Sequence, residues 1–477
     1  MAGQSHSNNP SPSASLAMPL DSEARTLFGH PTGLFTLFFA EMWERFSYYG
    51  MRALLVLYMI KGFLSYTDSE AYAVYGAYTA LVYAAPFLGG IIADRLLGAR
   101  RAVITGGLLM AAGHLLMTVE NRTAFFVALS LLVCGNGFFK PNISTIVGSL
   151  YPPGSPRKDA GFTIFYMGIN LGAAMSPILC GYVGETYGWH YGFGLATAGM
   201  LIGVAIFAAP TVVTQVLILI GALGSAAAMP FLQDSLLQLA VRVFLALALA
   251  AAGLISVTAL QRGGLPHGAG RPRDPQRLTQ RLGGVLRYDL AVYVGIAAAV
   301  PLVACLVSRN RIAGHALFLT GGCALAYVLY DAFARCGKVE RERIFVVLIL
   351  MLFSLLFWAF FEQAGSSLNN FTDRNVDRVF GGRRITAADV GTTIEFRVLP
   401  RARDDRFAQL PPLTQEQLGY RLNGRIFTMT DLTRLRDEAA AAGAGPEKQT
   451  LRWPVTGEEV GMVVGGGDTV NRYGSLG

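Results

Sequence analysis

The sequence predicts an all-α polytopic membrane protein, and two observations support this fold class. Hydrophobic residues make up 53% of the 477 residues and charged residues only 15%, whereas a typical soluble domain is about 25% charged. Apolar runs of about 20 residues recur along the chain, and each is long enough for a helix to cross a bilayer. The expected spans lie at about 33–62, 70–97, 102–119, 123–148, 160–184, 191–209, 211–232, 237–260, 289–308, 313–334 and 343–363.

The chain divides into five predicted segments. Residues 1–31 are rich in Ser, Pro and Ala and lack an apolar core, which predicts a disordered cytoplasmic tail rather than a signal peptide. Residues 32–210 hold six spans, which form an N-terminal six-helix bundle, and residues 211–335 hold accessory spans and a basic loop. Residues 336–368 form a seventh core helix, and residues 369–477 form a polar extracytoplasmic loop or tail with weak β-like runs.

Basic residues between the spans predict an orientation. Lys and Arg favour cytoplasmic loops, and the segment DRLLGARR follows the second span, whereas GETYGWHYG after the fifth span has no Lys or Arg. We therefore expect a multi-pass protein of the cell inner (plasma) membrane, in contact with the lipid bilayer, with a cytoplasmic N terminus. The net charge of +8 comes mostly from these loops, so we expect no nucleic-acid partner.

The stretch AEMWERFSYYGMRALLVLYMIK, residues 40–61, places charges inside an apolar run. A charged side chain near a helix centre costs ~2.5–3.5 kcal/mol on insertion scales. At about 100° per residue, Glu41, Glu44, Arg45 and Arg52 share one helix face with two tyrosines, roughly 140° wide. The charges sum to zero, as expected for a face that looks into a bundle or a wet cavity. An ion-pair stripe that holds two helices together is the alternative interpretation.

Three polar residues in other spans are further candidates for a functional site. Lys140 lies among apolar residues and directly precedes Pro141, which kinks a helix and frees a carbonyl. Asn170 lies in the middle of the fifth span, and Glu362 lies near the outer end of the last span. The alternatives are a snorkelling lysine, an interhelical hydrogen bond from the asparagine, and a solvated interfacial acid.

Enzyme chemistry and metal binding find no support in the motifs. The five cysteines have no CxxC spacing and are expected to be buried, inert thiols, so no metal site is predicted. No GxSxG or HExxH occurs, and His114 is alone in its span. We therefore expect no catalytic residues and no cofactor.

Five motifs, in order, resemble one transporter family. The loop GGIIADRLLGARR at 89–101 resembles the signature loop of the major facilitator superfamily. Together with ExxERFSYYG at 41–50, FFKPNIS at 138–144, FYMGINLG at 165–172 and FWAFFEQAGSSL at 357–368, it resembles the proton-dependent oligopeptide transporters. The resemblance implies a major-facilitator fold with two six-helix bundles around a central peptide site, with accessory helices between the bundles. The implied partners are di- and tripeptides and protons.

The resemblance also implies residue roles. A di- or tripeptide is a zwitterion, so its site needs a cation for the carboxylate and an anion for the ammonium group. The residues that match the family's proton-coupling positions are Glu41, Glu44, Arg45 and Glu362. Those that match its substrate-binding positions are Tyr49, Arg52, Tyr83, Lys140 and Asn170. The implied function is proton-coupled symport of di- and tripeptides across the cytoplasmic membrane.

The chain departs from the family after the FFEQ motif. The family has five more helices there, and this sequence has no further apolar run of spanning length. We therefore expect the first six-helix bundle to be complete and the second to be truncated, in a chain that does not transport peptide by itself. The alternatives are a major-facilitator carrier for another small anionic or zwitterionic solute, and an inactive fragment of a peptide transporter.

Overall fold

The computed structural model describes residues 25–208, 212–228, 236–266, 268–272, 274–282, 286–375, 383–384, 386–397, 421–422, 425–426, 450–454, 457 and 463–464. A helix occurs at each of the eleven predicted spans. The first bundle contains α1 (Thr32–Lys61), α2 (Asp68–Ile92), α3 (Ala99–Leu116), α4 (Arg122–Ser149), α5 (Lys158–Ser176), α6 (Tyr182–Tyr187) and α7 (Trp189–Ala208). The chain continues through α8 (Val212–Ala228), α9 (Leu236–Gln261), α10 (Pro275–Thr279), α11 (Tyr288–Ser308), α12 (Asn310–Ala334), α13 (Lys338–Phe361) and α14 (Ser367–Asn375).

The helices are those of a polytopic membrane protein. Eight of the described helical segments are long and apolar enough to cross a membrane. Three predicted spans fall outside that set. Helices α1 and α3 contain charged residues that lower their hydropathy, and α8, at 17 residues, is shorter than a usual span. Two helices continue through a single π-helical turn, α2 into Ala93–Leu97 and α5 through Pro177–Gly181 into α6. The described strands form five two-stranded antiparallel ladders that lie outside the spans.

The short strands are β1 (Thr26–Leu27) and β2 (His30–Pro31), β3 (Arg281–Leu282) and β4 (Leu286–Arg287), β5 (Arg383–Arg384), β6 (Thr393–Arg397), β7 (Arg421–Leu422), β8 (Arg425–Ile426), β9 (Thr450–Pro454) and β10 (Val463–Val464). The two weak β-like runs of the polar tail contain β6 and β9, which pair with each other from Thr393 opposite Pro454 to Arg397 opposite Thr450. Strands β5 and β10 also pair.

Helix α1 is the centre of the first bundle. It packs against α5, α7 and α9, and most of its side chains are buried. Its apolar side carries Trp43 and Phe46, which lie against Gly199 of α7. The polar side faces away from that contact, as the helical periodicity of the sequence predicts. This arrangement buries charged residues within the bundle rather than in lipid.

Proline and glycine together set the close approach of α2 and α4. Pro141 lies inside α4 and has no N–H to donate to the carbonyl of Gly137, four residues earlier. That carbonyl faces α2 at Gly89, where an added Cβ would lie 2.1 Å from the carbonyl oxygen. Only a residue without a Cβ fits there, so the two backbones are in direct contact one turn from Lys140.

The predicted disordered tail is wrong for residues 25–31. The β1–β2 ladder buries Leu27 against Phe35 of α1. His30 Nδ1 lies 2.9 Å from the hydroxyl of Tyr151, and burial raises the pKa of Tyr151 to about 12, so the hydroxyl stays protonated. Tyr151 is 121 residues from His30 in sequence, and local composition therefore could not reveal this contact. Residues 1–24 lie outside the described residues.

The predicted boundary at residue 369 is also wrong. Helix α14 runs through it, and Asn370 is only 2% exposed. The polar composition of this segment predicted a loop, but two asparagine side chains bond to α1 and α2 instead. The polar segment therefore begins as a helix packed on the first bundle.

A loop between α9 and α10 docks on one end of the first bundle. Thr32 Oγ1 donates to the carbonyl of Gly264 over 3.1 Å, and the backbone N–H of Arg100 donates to the carbonyl of Gly270 over 2.8 Å. Gly98 has φ 76°, and an added Cβ there would lie 2.4 Å from the nitrogen of Pro272. The loop thus joins the starts of α1 and α3.

We predict that Gly89→Ala destabilises the protein by ~1–3 kcal/mol, because the new methyl group must push α2 away from α4. Thermal unfolding in detergent, followed by tryptophan fluorescence, measures the effect. Gly76→Ala is the matched control in the same helix, because an added Cβ there meets nothing within 4 Å. Equal melting temperatures for the two variants would contradict the close-packing argument.

Candidate functional site

Glu41, Glu44 and Arg45 form a buried ion cluster on α1. Arg45 Nε lies 3.1 Å from Glu41 Oε1, and Arg45 Nη2 donates to Glu44 Oε1 over 2.8 Å. Arg45 Nε also contacts Glu44 Oε2. The three residues are 2%, 0% and 4% exposed. With both acids ionised the cluster carries one negative charge, since a single guanidinium serves two carboxylates.

One oxygen of the cluster lacks a partner. Glu41 Oε2 is buried and has no hydrogen-bond partner among the described residues. A buried oxygen left in this state costs free energy unless it gains a proton or another donor. The cluster can therefore accept one positive charge without breaking the Arg45 contacts.

Arg52 and Glu362 join the first bundle to the end of α13. Arg52 Nη2 lies 2.8 Å from Glu362 Oε2, and both side chains are largely buried. The hydroxyl of Tyr83 donates to Glu362 Oε1 over 2.8 Å. Arg52 Nε donates to the hydroxyl of Tyr75 over 2.7 Å. This second group links α1, α2 and the turn that follows α13.

Lys140 lies between the two charged groups. Its Nζ is 5.1 Å from the centre of the Tyr83 ring, a cation–π distance. Arg45 repels the Lys140 ammonium group, whereas Glu41, Glu44 and Glu362 attract it. Within the described part of the chain, Lys140 forms no ion pair. Lys140 is therefore a cation whose carboxylate partner is not supplied by the described residues.

Tyr49 contacts the second charged group, whereas the described contact of Asn170 lies within its own helix. Arg52 Cζ lies 5.9 Å from the Tyr49 ring centre, which places Tyr49 beside the second charged group. Asn170 is exposed, and its Nδ2 donates to the carbonyl of Tyr166 in its own helix over 3.0 Å. The structure thus brings together all the candidate site residues except Asn170.

The sequence-based search missed Tyr75. Its hydroxyl accepts a hydrogen bond from Arg52 Nε. A Cβ added to Gly365 would lie 2.1 Å from the same hydroxyl oxygen, so Tyr75 also packs against the turn after α13. A signal was present in the segment AYAVYGAYTALVY: its four tyrosines fall within about 140° on one side of α2 at 100° per residue. That periodicity would have marked α2 as a polar-lined helix. The described residues contain no cluster of His, Cys, Asp or Glu suited to a metal ion.

A family model described as the POT family matches residues 100–217. "Peptide transporter YePEPT" of Yersinia enterocolitica is 35% identical over 370 residues, which are 76% of this chain and 64% of that protein. Residues 100–217 therefore match the POT family, and the similarity to a peptide transporter extends over 76% of this chain. A "Di-/tripeptide transporter" of Lactococcus lactis is 46% identical over 189 residues, 38% of each chain.

Solved structures of POT transporters share the fold. A peptide transporter POT mutant in complex with alafosfalin superposes with a TM-score of 0.53 and 34% identity, covering 75% of this chain and 64% of that one. A POT family transporter in complex with 5-aminolevulinic acid has a TM-score of 0.54 and 28% identity, covering 76% and 65%. The chain spans slightly less than two thirds of the Yersinia relative and of these two solved structures. It has the helical fold of POT membrane transporters.

We predict that Arg45→Gln destabilises the protein by ~3–5 kcal/mol, because it leaves two buried carboxylates without their cation. Thermal unfolding in detergent measures the loss. The double variant Arg45→Gln/Glu44→Gln should recover much of it, since fewer uncompensated charges remain. If the double variant is as unstable as the single one, the lost charge pairing is not the cause.

Proposed function

We propose that the chain takes part in proton-coupled symport of di- and tripeptides across the cytoplasmic membrane. The observation that supports this function is the separation of charge in the site. A buried cluster with one negative charge lies within electrostatic range of Lys140, which has no ion pair among the described residues. A proton can neutralise the first, and a peptide carboxylate can pair with the second.

The proton and the peptide carboxylate favour each other's binding in this arrangement. When the Glu41–Arg45–Glu44 cluster is ionised, Lys140 is balanced by its negative charge across the site. A proton on the cluster removes that balance, and an unpaired cation in a low-dielectric site is costly. A peptide carboxylate at Lys140 gives that cation a direct partner, so each ligand stabilises the state that the other prefers.

The remaining candidate residues have proposed roles around this pair. Arg52 and Tyr83 hold Glu362, which we assign to closure of the outer side of the site. Tyr49 lies against Arg52 and contacts the bound peptide together with it. Asn170 contacts peptide only if its amide leaves the carbonyl of Tyr166. The assigned domains are the first bundle at 32–210, the accessory segment at 211–335 and the seventh helix at 336–368, in an inner-membrane protein with a cytoplasmic N terminus.

Another zwitterionic or anionic small solute is the second candidate substrate. A related POT transporter has been solved with 5-aminolevulinic acid, which carries an amine and a carboxylate. The site described here would recognise those two groups by the same charges. Competition between a labelled dipeptide and 5-aminolevulinic acid distinguishes the two candidates by their relative potency.

We predict that Lys140→Ala abolishes dipeptide uptake driven by a pH gradient, because the peptide carboxylate loses its cation. Uptake is measured in proteoliposomes. The chain spans 64% of the Yersinia relative, so the assay uses both the printed chain and the chain extended by that relative's remaining segment. Lys158→Ala, at the start of α5 and outside the site, is the matched control. Uptake at the unmutated rate by Lys140→Ala would discard this role.

We predict that Glu41→Gln and Glu44→Gln each block accumulation of dipeptide but retain exchange across the membrane. Exchange needs only the binding site, whereas accumulation needs the proton cycle. Counterflow and gradient-driven uptake in the same proteoliposomes measure the two activities. Asp159→Asn, an exposed acid at the start of α5, is the control. Accumulation against a gradient by both Gln variants would show that the coupling assignment is wrong.

A further inference from the structure

Helix α13 has little apolar packing to hold its position. None of its 24 residues is buried. Its outer end, however, lies against the site, where Trp358 packs on Tyr83 with 6.2 Å between ring centres and Glu362 meets Arg52. Among the described residues, this end is held by contacts with the site and with the residues that follow it in the chain.

The segment after Glu362 is bonded to α1 and α2 by uncharged groups. Asn369 Nδ2 donates to the carbonyl of Ala53 over 3.0 Å. Asn370 Nδ2 donates to the hydroxyl of Tyr72 over 2.6 Å, and Asn370 is 2% exposed. The amide nitrogen of Asn370 is therefore bonded, whereas its buried Oδ1 has no hydrogen-bond partner among the described residues. Losing the bond to Tyr72 would leave the whole buried amide without a partner, which is costly.

The turn between Glu362 and the two asparagines lies directly on the charged site. Gly365 is buried, and an added Cβ would lie 2.6 Å from Arg52 Nε. The bonded carbonyl of Ala53 belongs to the residue that follows Arg52 in α1. The asparagine contacts and the ion pair are therefore at the two ends of one short segment, residues 362–370.

We propose that Asn369 and Asn370 are positioning residues that hold Glu362 against Arg52 by fixing the start of α14 to α1 and α2. The two hydrogen bonds join neutral groups, so they persist when Glu362 takes up a proton or when a peptide displaces Arg52. Closure of the outer side thus has a charge-independent part and a charge-dependent part. The place of this closure in a transport cycle rests on the proposed function.

The two parts differ in how they respond to a proton. Protonation of Glu362 removes the charge attraction to Arg52 but leaves both asparagine bonds unchanged. The outer end of α13 then stays close to α1 and α2, so Glu362 remains near Arg52 and can form the ion pair again when it loses the proton. A gate held by the ion pair alone would separate fully each time the charge was lost.

Native-state hydrogen exchange, read by mass spectrometry, tests the proposal on the whole chain in nanodiscs. Asn370→Ala and Tyr72→Phe should each raise amide exchange in residues 362–375 by roughly two- to tenfold, the range expected for one lost hydrogen bond. The double variant should exchange no faster than either single variant, because both remove the same bond. Asn370→Gln, which keeps the amide donor, should recover part of the protection.

A second set of variants tests the contribution of the Arg52–Glu362 ion pair, with Glu362→Gln as a mimic of the protonated acid. This variant should raise exchange in 362–375 only partly, and Glu362→Gln/Asn370→Ala should raise it further. Ser367→Ala is the matched control, because among the described residues Ser367 Oγ bonds only Gln363 Oε1, which lies in the same segment. Faster exchange confined to 362–375 and the facing parts of α1 and α2 supports positioning.

Three results would overturn the proposal. One is an effect of Ser367→Ala equal to that of Asn370→Ala. Another is faster exchange throughout α4 in Asn370→Ala, which would show general destabilisation. The third is complete loss of protection in Glu362→Gln alone. The exchange readout needs no peptide, so dipeptide binding measured on the same samples tests the proposed function separately.

Discussion

Charge balance inside the membrane is the constraint on which this structure depends. Arg45 serves two buried carboxylates on its own helix, and Arg52 pairs with an acid brought by α13. With Lys140, the site holds three acidic and three basic side chains, whose formal charges cancel. An unpaired charge in hydrocarbon costs several kcal/mol, so each of these groups is tolerable only because the others are near. The packing of α1, α2 and α4 is arranged to keep them together.

The bundle meets this constraint by bringing helix backbones unusually close. The proline beside Lys140 leaves a carbonyl without its helical donor, and Gly89 allows α2 to approach that carbonyl directly. Small residues at helix contacts are a common solution in membranes, where no hydrophobic effect drives helix association. Here the contact has a second consequence, since it places the Tyr83 ring of α2 over Lys140 of α4. Close packing and the arrangement of the site therefore depend on the same residues.

The sequence predicts the features that follow from local periodicity, but it does not predict contacts between residues that are distant in the chain. All eleven spans and the polar face of α1 follow from runs and spacing that a helix must satisfy. The hairpin at 26–31 was missed because one of its contacts is with Tyr151, 121 residues away. The asparagines of α14 read as loop residues because Tyr72 lies 298 residues earlier in the chain. Asn170 shows the opposite case: its position was marked correctly as polar within a span, but its amide bonds its own helix.

The two kinds of contact at the site suit two different tasks. Ion pairs are strong but change with every proton or charged ligand, so they can report that a ligand has bound. Neutral hydrogen bonds are weaker and insensitive to charge, so they can preserve geometry while the ion pairs change. Glu362 belongs to the first kind, and the two asparagines a few residues later belong to the second. A segment that carries both can release its charge contact and still return to the same position, which a cyclic transport process requires.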